Sequence, residues 1–183
     1  MSYRNYLAAT MLLLCSSIGM AQKFGTKAGS IAFEASVPSF EPVAAKHSSV
    51  SAVLNSDNGQ LVVLALVTGF RFDIALMEEH FNENYMESEV YPKAVLKGEI
   101  KDFDFKAINA GKTAFQFSGS LEIHGVVQAF ETELQLSKAD QDLLLSARFA
   151  LKPEDFNIEI PKIVAKKIAD EVWVDVQLQL KSI

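Results

Sequence analysis

Long runs in which apolar and polar residues alternate one by one most constrain what this chain can fold into. Phe115, Phe117, Leu121 and Ile123 alternate with Gln116, Ser118, Ser120, Glu122 and His124. Val172, Val174, Val176, Leu178 and Leu180 alternate with Trp173, Asp175, Gln177, Gln179 and Lys181. A period of two places every second side chain on the same face of a strand. Each such strand therefore has one oily and one wet face, and the oily faces must curl or stack together to leave water.

Further strands follow from the same reading. Ala28 to Val37 is the first, stopped by Pro38 and Pro42, which lack a backbone donor. His47 to Leu54 is the second, turned by Asn55 to Gly59. Leu61 to Phe70 is apolar almost throughout; Val62, Val63 and Val67 and the bracketing Gly59 and Gly69 favour strand over helix. Ala94 to Phe105, Thr113 to Ile123, Val127 to Leu136, Leu143 to Leu151 and Glu171 to Lys181 complete about eight. Met77, Phe81, Tyr85 and Met86 instead recur near helical spacing among acidic and amide residues. They predict a short helix or irregular lid ending near Pro92. Lys152 to Asp170 is a longer connection, with a short helical turn expected at Ile163 to Ile168. The expected class is all-β: eight antiparallel strands closed into a barrel, with one or two short helices. Closure removes exposed edges and leaves an interior wide enough for packed side chains or for one elongated guest.

The N-terminus reads differently. Arg4 precedes an apolar run from Leu7 to Ile18, and small Gly19 and Ala21 stand before Gln22. This pattern predicts a secretory signal at residues 1–21, cleaved to leave one domain at 22–183. The expected destination is the periplasm or the extracellular medium. Cys15 is the chain's single cysteine. Leu14 stands where a lipoprotein signal carries a small residue, so cleavage beyond Cys15 is favoured over lipid attachment. The mature chain then holds no disulfide, thiolate nucleophile or thiolate metal ligand. Its net charge of −6 becomes one unit more negative when Arg4 leaves. That balance argues against a nucleic-acid partner and against attraction to anionic membranes, apart from a local basic group at Lys162, Lys166 and Lys167. Stable membrane insertion is not expected.

No residue pattern announces catalysis. His47, His80 and His124 fall in separate elements, without the close spacing of a paired metal site. His124, beside Gly125, reads as a turn former or hydrogen-bond donor, and His47 and His80 as candidates for one polar rim. Glu78, Glu79, Glu83, Glu87 and Glu89 read as a solvated face. Ser118 and Ser120 lie outside any Gly-x-Ser-x-Gly elbow, and the glycines form no phosphate loop. No catalytic residue, metal or cofactor is therefore expected. The chain has 13 phenylalanines, enough to fill or to line a barrel. Phe33, Phe115, Phe117, Phe130 and Phe149 are interior candidates, and Met77, Phe81, Tyr85 and Met86 could line a pocket mouth or plug one end. Trp173 lies opposite the apolar stripe of its strand, so it either covers the barrel outside or meets a second copy in a homodimer.

Several stretches in order resemble the YceI-like family of extended, lipocalin-like barrels. They are Ala45-Lys46-His47; Phe70-Arg71-Phe72; MEEHF from Met77 to Phe81; YMESEVYP from Tyr85 to Pro92; FSGSLEIHGVV from Phe117 to Val127; and the tail from Phe156 to Val176. The resemblance spans roughly Ser30 to Leu180. Glu122 and Val127 stand where the family more often has Thr-like residues. The resemblance implies an isoprenoid-like or fatty-acid-derived chain inside the barrel, with Phe70 joining the lining candidates. A fully packed structural or stress-response barrel, and an enzyme using His47 or His80 on a small amphiphile, are the other readings.

Overall fold

The computed structural model describes residues 22–38 and 40–183. The expected signal segment, with Cys15, lies outside the described residues. Nine strands form: β1 (Lys23–Ser36), β2 (Ala44–Asn55), β3 (Gln60–Leu66), β4 (Arg71–Phe72), β5 (Lys93–Ile100), β6 (Thr113–Ile123), β7 (Val126–Ala139), β8 (Asp142–Leu151) and β9 (Ile168–Ser182). One short helix, α1 (Ala75–His80), continues into a π-turn at Phe81–Tyr85.

Eight of the strands close a barrel. Neighbours run β1-β9-β8-β7-β6-β5-β3-β2, and β2 returns to β1. Every pairing is antiparallel. β4 adds only the pairs Ala45–Phe72 and Lys46–Arg71 on the same side of β2 that β3 occupies farther along. The expected all-β barrel is therefore what forms.

Some boundaries move. The first strand begins at Lys23 because its N-terminal residues pair with β2, Lys23 lying opposite Asn55. The Leu61–Phe70 run stops as a strand at Leu66 and becomes a 3-10 turn over Val67–Gly69. The following strand ends at Ile100, before Phe103 and Phe105. α1 and its π-turn end at Tyr85, ahead of Pro92. The helical turn in the last connection is a short 3-10 turn at Ala165–Lys167.

The alternation sets which side chains enter the barrel. Val174, Val176, Leu178 and Leu180 of β9 are buried, while Trp173 is exposed on the outer surface beside Arg148. A register shift between Thr26 and Gly29 puts an extra residue in β1 and re-phases it, so that Phe24 and Ala35 are both buried although their parities differ; a second shift, between Gly29 and Ile31, puts the extra residue in β2.

The two ends differ. At one end Phe24, Leu54, Leu136, Leu143 and Leu180 are packed solid. Phe103 and Phe105, from the β5–β6 connection, close that end, with Phe105 5.5 Å from Phe24 and Phe103 5.9 Å from Phe115. The other end receives the β1–β2 turn, α1, the β6–β7 turn and the strap from Lys152 to Lys167. Apolar space remains there.

Candidate functional site

A cavity of about 380 Å³ occupies that second end. Its floor is made by Leu61, Phe117, Leu134 and Leu145, and its walls by Ile31, Val63, Leu96, Leu121, Ala147 and Val176. Pro153, Phe156, Ile158, Ile160 and Val164 of the strap roof one side. Met77, Phe81, Tyr85 and Met86 roof the other, from α1 and the turn after it. The polar side chains of the lining are few: His80, Tyr85, Thr132, Lys152 and Lys167, with no carboxylate among them. A space of this size with so little to hydrogen-bond suits a chain-like hydrocarbon better than a hydrated polar molecule.

The wall on the α1 side is an aromatic cluster. Phe33 (β1), Phe70 (before β4), Phe72 (β4) and Phe81 (after α1) have ring centroids 5.2–5.8 Å apart in five pairs. Tilted and edge-on pairs of this kind add to simple area burial. They seat α1 against the barrel although the helix itself is only six residues long. Glu78 reinforces the seat: it accepts from Arg71 Nη1 at 2.9 Å and from the Phe72 backbone N–H at 3.1 Å. The π-turn brings the Met86 N–H to the Phe81 carbonyl at 2.9 Å, which helps Phe81, Tyr85 and Met86 all face the cavity.

The three histidines take three different places. His80 lines the mouth. His47 does not; its ring is buried behind Phe70, edge-on at 5.3 Å. The Ser49 N–H donates to His47 Nδ1 at 3.0 Å, while Nε2 has no hydrogen-bond partner. Burial pushes this imidazole below its ordinary value, and nearby positive Arg71 pushes the same way. His47 is thus a neutral packing group whose position requires Gly69, since a Cβ there would run into the ring. His124 sits in the β6–β7 turn with positive φ, followed by Gly125, also with positive φ. Its Nδ1 lies 3.2 Å from the Phe156 carbonyl, its Nε2 lies 2.8 Å from Glu87 Oε2, and Tyr91 packs edge-on at 4.5 Å. Both ring nitrogens therefore face acceptors. One side chain thereby ties the turn, the strap and the segment after α1 together. The expected role of His124 as turn former and hydrogen-bonding group matches this geometry.

Of the residues singled out from sequence, Phe33, Phe70, Met77, His80, Phe81, Tyr85, Met86, Phe117 and Phe149 meet around one cavity. Phe115 points inward at the closed end, against Phe103. Phe130 stacks behind Phe149 at 4.9 Å, and His47 lies behind Phe70. What the sequence reading missed is the strap: Phe156, Ile158 and Ile160 alternate with Asn157, Glu159 and Pro161, but the run is short and set between Pro153 and Pro161, so it reads as a connection and not as part of the roof. Glu79, Glu83, Glu87 and Glu89 are exposed, as a solvated face should be. Among the described residues no group of three or more His, Cys, Asp or Glu side chains is placed to hold a metal ion.

Comparison with known proteins bears on the fold. The YceI-like domain matches residues 22–180. No curated protein matches the chain. Among solved structures it is similar to a polyisoprenoid-binding domain from Saccharophagus degradans implicated in plant cell wall breakdown. That match has TM-score 0.74 and 16% identity, over 90% of this chain and 99% of the other. It is also similar to BcnA of Burkholderia cenocepacia (TM-score 0.62, 14% identity, 82% of this chain and 95% of the other). A third likeness is to a YceI protein of Campylobacter jejuni (TM-score 0.57, 14% identity, 72% of this chain and 80% of the other). At such identities the likeness is one of fold.

Proposed function

Because this chain belongs to the YceI-like family, we propose that it is an exported carrier that holds one long apolar or amphiphilic lipid in the barrel. An isoprenoid-like or fatty-acid-derived chain fits the space. The observation that carries the reading is the cavity of about 380 Å³, lined almost wholly by hydrocarbon and aromatic groups at one end of a closed barrel. A barrel serving as a packed structural body has no use for such a volume, since protein interiors normally close up. The polyisoprenoid-binding neighbour from Saccharophagus degradans supports the same ligand class. The protein works by binding and release, without a chemical step. The leader at residues 1–21 supports export to the periplasm or medium.

Burial of the chain supplies the affinity, at roughly 25 cal/mol per Å² of apolar surface removed from water, reduced by the cost of ordering the ligand. The test is native mass spectrometry of protein expressed with its leader, followed by solvent extraction of the purified material. A co-purifying chain molecule is expected, on a polypeptide that begins at Gln22. Ala147 lines the cavity, and Ala147→Phe should fill space without leaving a void. That variant should stay folded and lose the molecule. Ligand retained by folded Ala147→Phe would place binding elsewhere, and protein free of any extractable lipid would refute the carrier reading.

A further inference from the structure

The strap that roofs the cavity has an outer side. Its first part is held down: the Asp155 carbonyl accepts from Gln128 Nε2 at 2.8 Å, and the Phe156 carbonyl faces His124 Nδ1. Its far end enters β9, where Ile168 lies opposite Ser36. Between them, among the described residues, hydrogen bonds from 157 to 167 stay within the strap. The Val164 and Ala165 N–H groups reach the Pro161 carbonyl, and the Lys167 N–H reaches the Val164 carbonyl. The turn so formed projects Ile163, which is 89% exposed, the highest value among the large exposed hydrophobic side chains described.

A single exposed isoleucine is ordinary. Here it is flanked by Lys162, Lys166 and Lys167, with no acidic residue between Glu159 and Asp170, in a chain whose net charge is −6. None of the three lysines is in an ion pair among the described residues. The same segment presents Ile158, Ile160 and Val164 to the cavity on its inner side. An apolar tip ringed by cations matches the boundary between acyl chains and anionic headgroups, where each part finds a favourable medium. Glu154, Asp155 and Glu159 earlier in the strap, and Glu79, Glu83, Glu87 and Glu89 on and after α1, are exposed and would be repelled by such a surface, so contact is through the turn from Pro161 to Lys167 alone.

We propose that this strap docks the protein onto an anionic lipid surface, with Ile163 entering the headgroup layer and the lysines pairing with lipid charge. The inference rests on the carrier reading for its purpose: the mouth then opens toward the bilayer, and a chain ligand passes without crossing water. The contact is peripheral and leaves the barrel outside the membrane.

Vesicle flotation of the purified protein tests it, with phosphatidylcholine alone against phosphatidylcholine mixed with phosphatidylglycerol. Binding is expected to the mixed vesicles, little to the neutral ones, and to weaken as salt screens the lysines. Each lysine near such a surface strengthens partitioning about fivefold, so Lys162→Gln with Lys166→Gln should weaken it on the order of twentyfold. Ile163→Ser should weaken it as well. None of these three side chains lines the cavity, so uptake of cis-parinaric acid, read by its fluorescence, should be unchanged in both variants. Absent flotation, equal flotation on neutral vesicles, or full flotation by the folded variants would overturn the docking proposal. So would sedimentation showing that Ile163 instead joins two copies. Wild-type protein that takes up no parinaric acid would count against the carrier reading, and the flotation result would still decide docking by itself.

Discussion

At the scale of the residue, His47 shows how a polar side chain can serve packing. Its Nδ1 accepts from Ser49, its Nε2 has no partner, and its ring supports Phe70. With its pKa lowered in the fold, the native state takes up this proton later than the unfolded chain as pH falls. The unfolded state then binds more protons below about pH 6.5, so stability declines with acid over that window. His47→Leu should flatten this part of the stability–pH curve, by at most about 1.4 kcal/mol per pH unit. Urea unfolding at pH 7.5 and pH 5 checks it; identical slopes in variant and wild type would place the acid sensitivity elsewhere. Gly69 is the partner condition. Gly69→Ala should cost about 1–3 kcal/mol through the collision with the His47 ring, seen as a lower melting temperature. A histidine in a strand is visible in sequence, but neither its neighbour Gly69 nor its orphaned nitrogen is, because both arise where β2 meets the turn after β3.

At the scale of the element, the roof over the cavity is assembled from pieces too short to persist alone. α1 has six residues, below the length at which an isolated helix holds in water. Its stability comes from Phe81 in the aromatic cluster and from Glu78 on Arg71 and Phe72. The strap is tied down by His124. His124→Ala should therefore leave the barrel strands protected and raise amide exchange in 152–168 and 86–91, the two segments that this side chain joins. Uniform loosening of the barrel, or no change in those segments, would contradict the latch. The helical spacing of Met77, Phe81 and Met86 was readable in the chain. The strap was not, because the alternation of Phe156, Ile158 and Ile160 is too short to show that it roofs a cavity; these residues face it only because Leu151 and Ile168, on either side of the strap, are paired with neighbouring strands.

At the scale of the whole molecule, barrel closure and an unfilled end act together. Closure through β1 and β2 removes open edges, so the wall can stand without a filled interior at the mouth. The packed end, from Leu54 to Leu180, supplies the rigidity. A ligand that enters only the folded barrel should raise its stability by mass action, by about 2.7 kcal/mol at a hundredfold excess over Kd. For a domain of this size that is roughly 5–11 °C in melting temperature. Calorimetry before and after solvent delipidation measures it, and an unchanged melting temperature would mean that the extracted molecule was surface-bound.

The alternating pattern determined that the chain is all-β, which faces of β6 and β9 are buried, that Trp173 lies outside, and that many phenylalanines point inward. These follow from local backbone geometry, since a strand sends successive side chains to opposite faces whatever its partners are. Tertiary structure alone decided which inward residues meet at the open end and which pack shut. Phe117 and Phe115 share a strand, a face and a residue type, yet one lines the cavity and the other seals the base. The difference is Phe103, carried there by the β5–β6 connection. Empty space is set by what distant segments fail to fill, and that is a property of the closed barrel and not of any stretch of sequence.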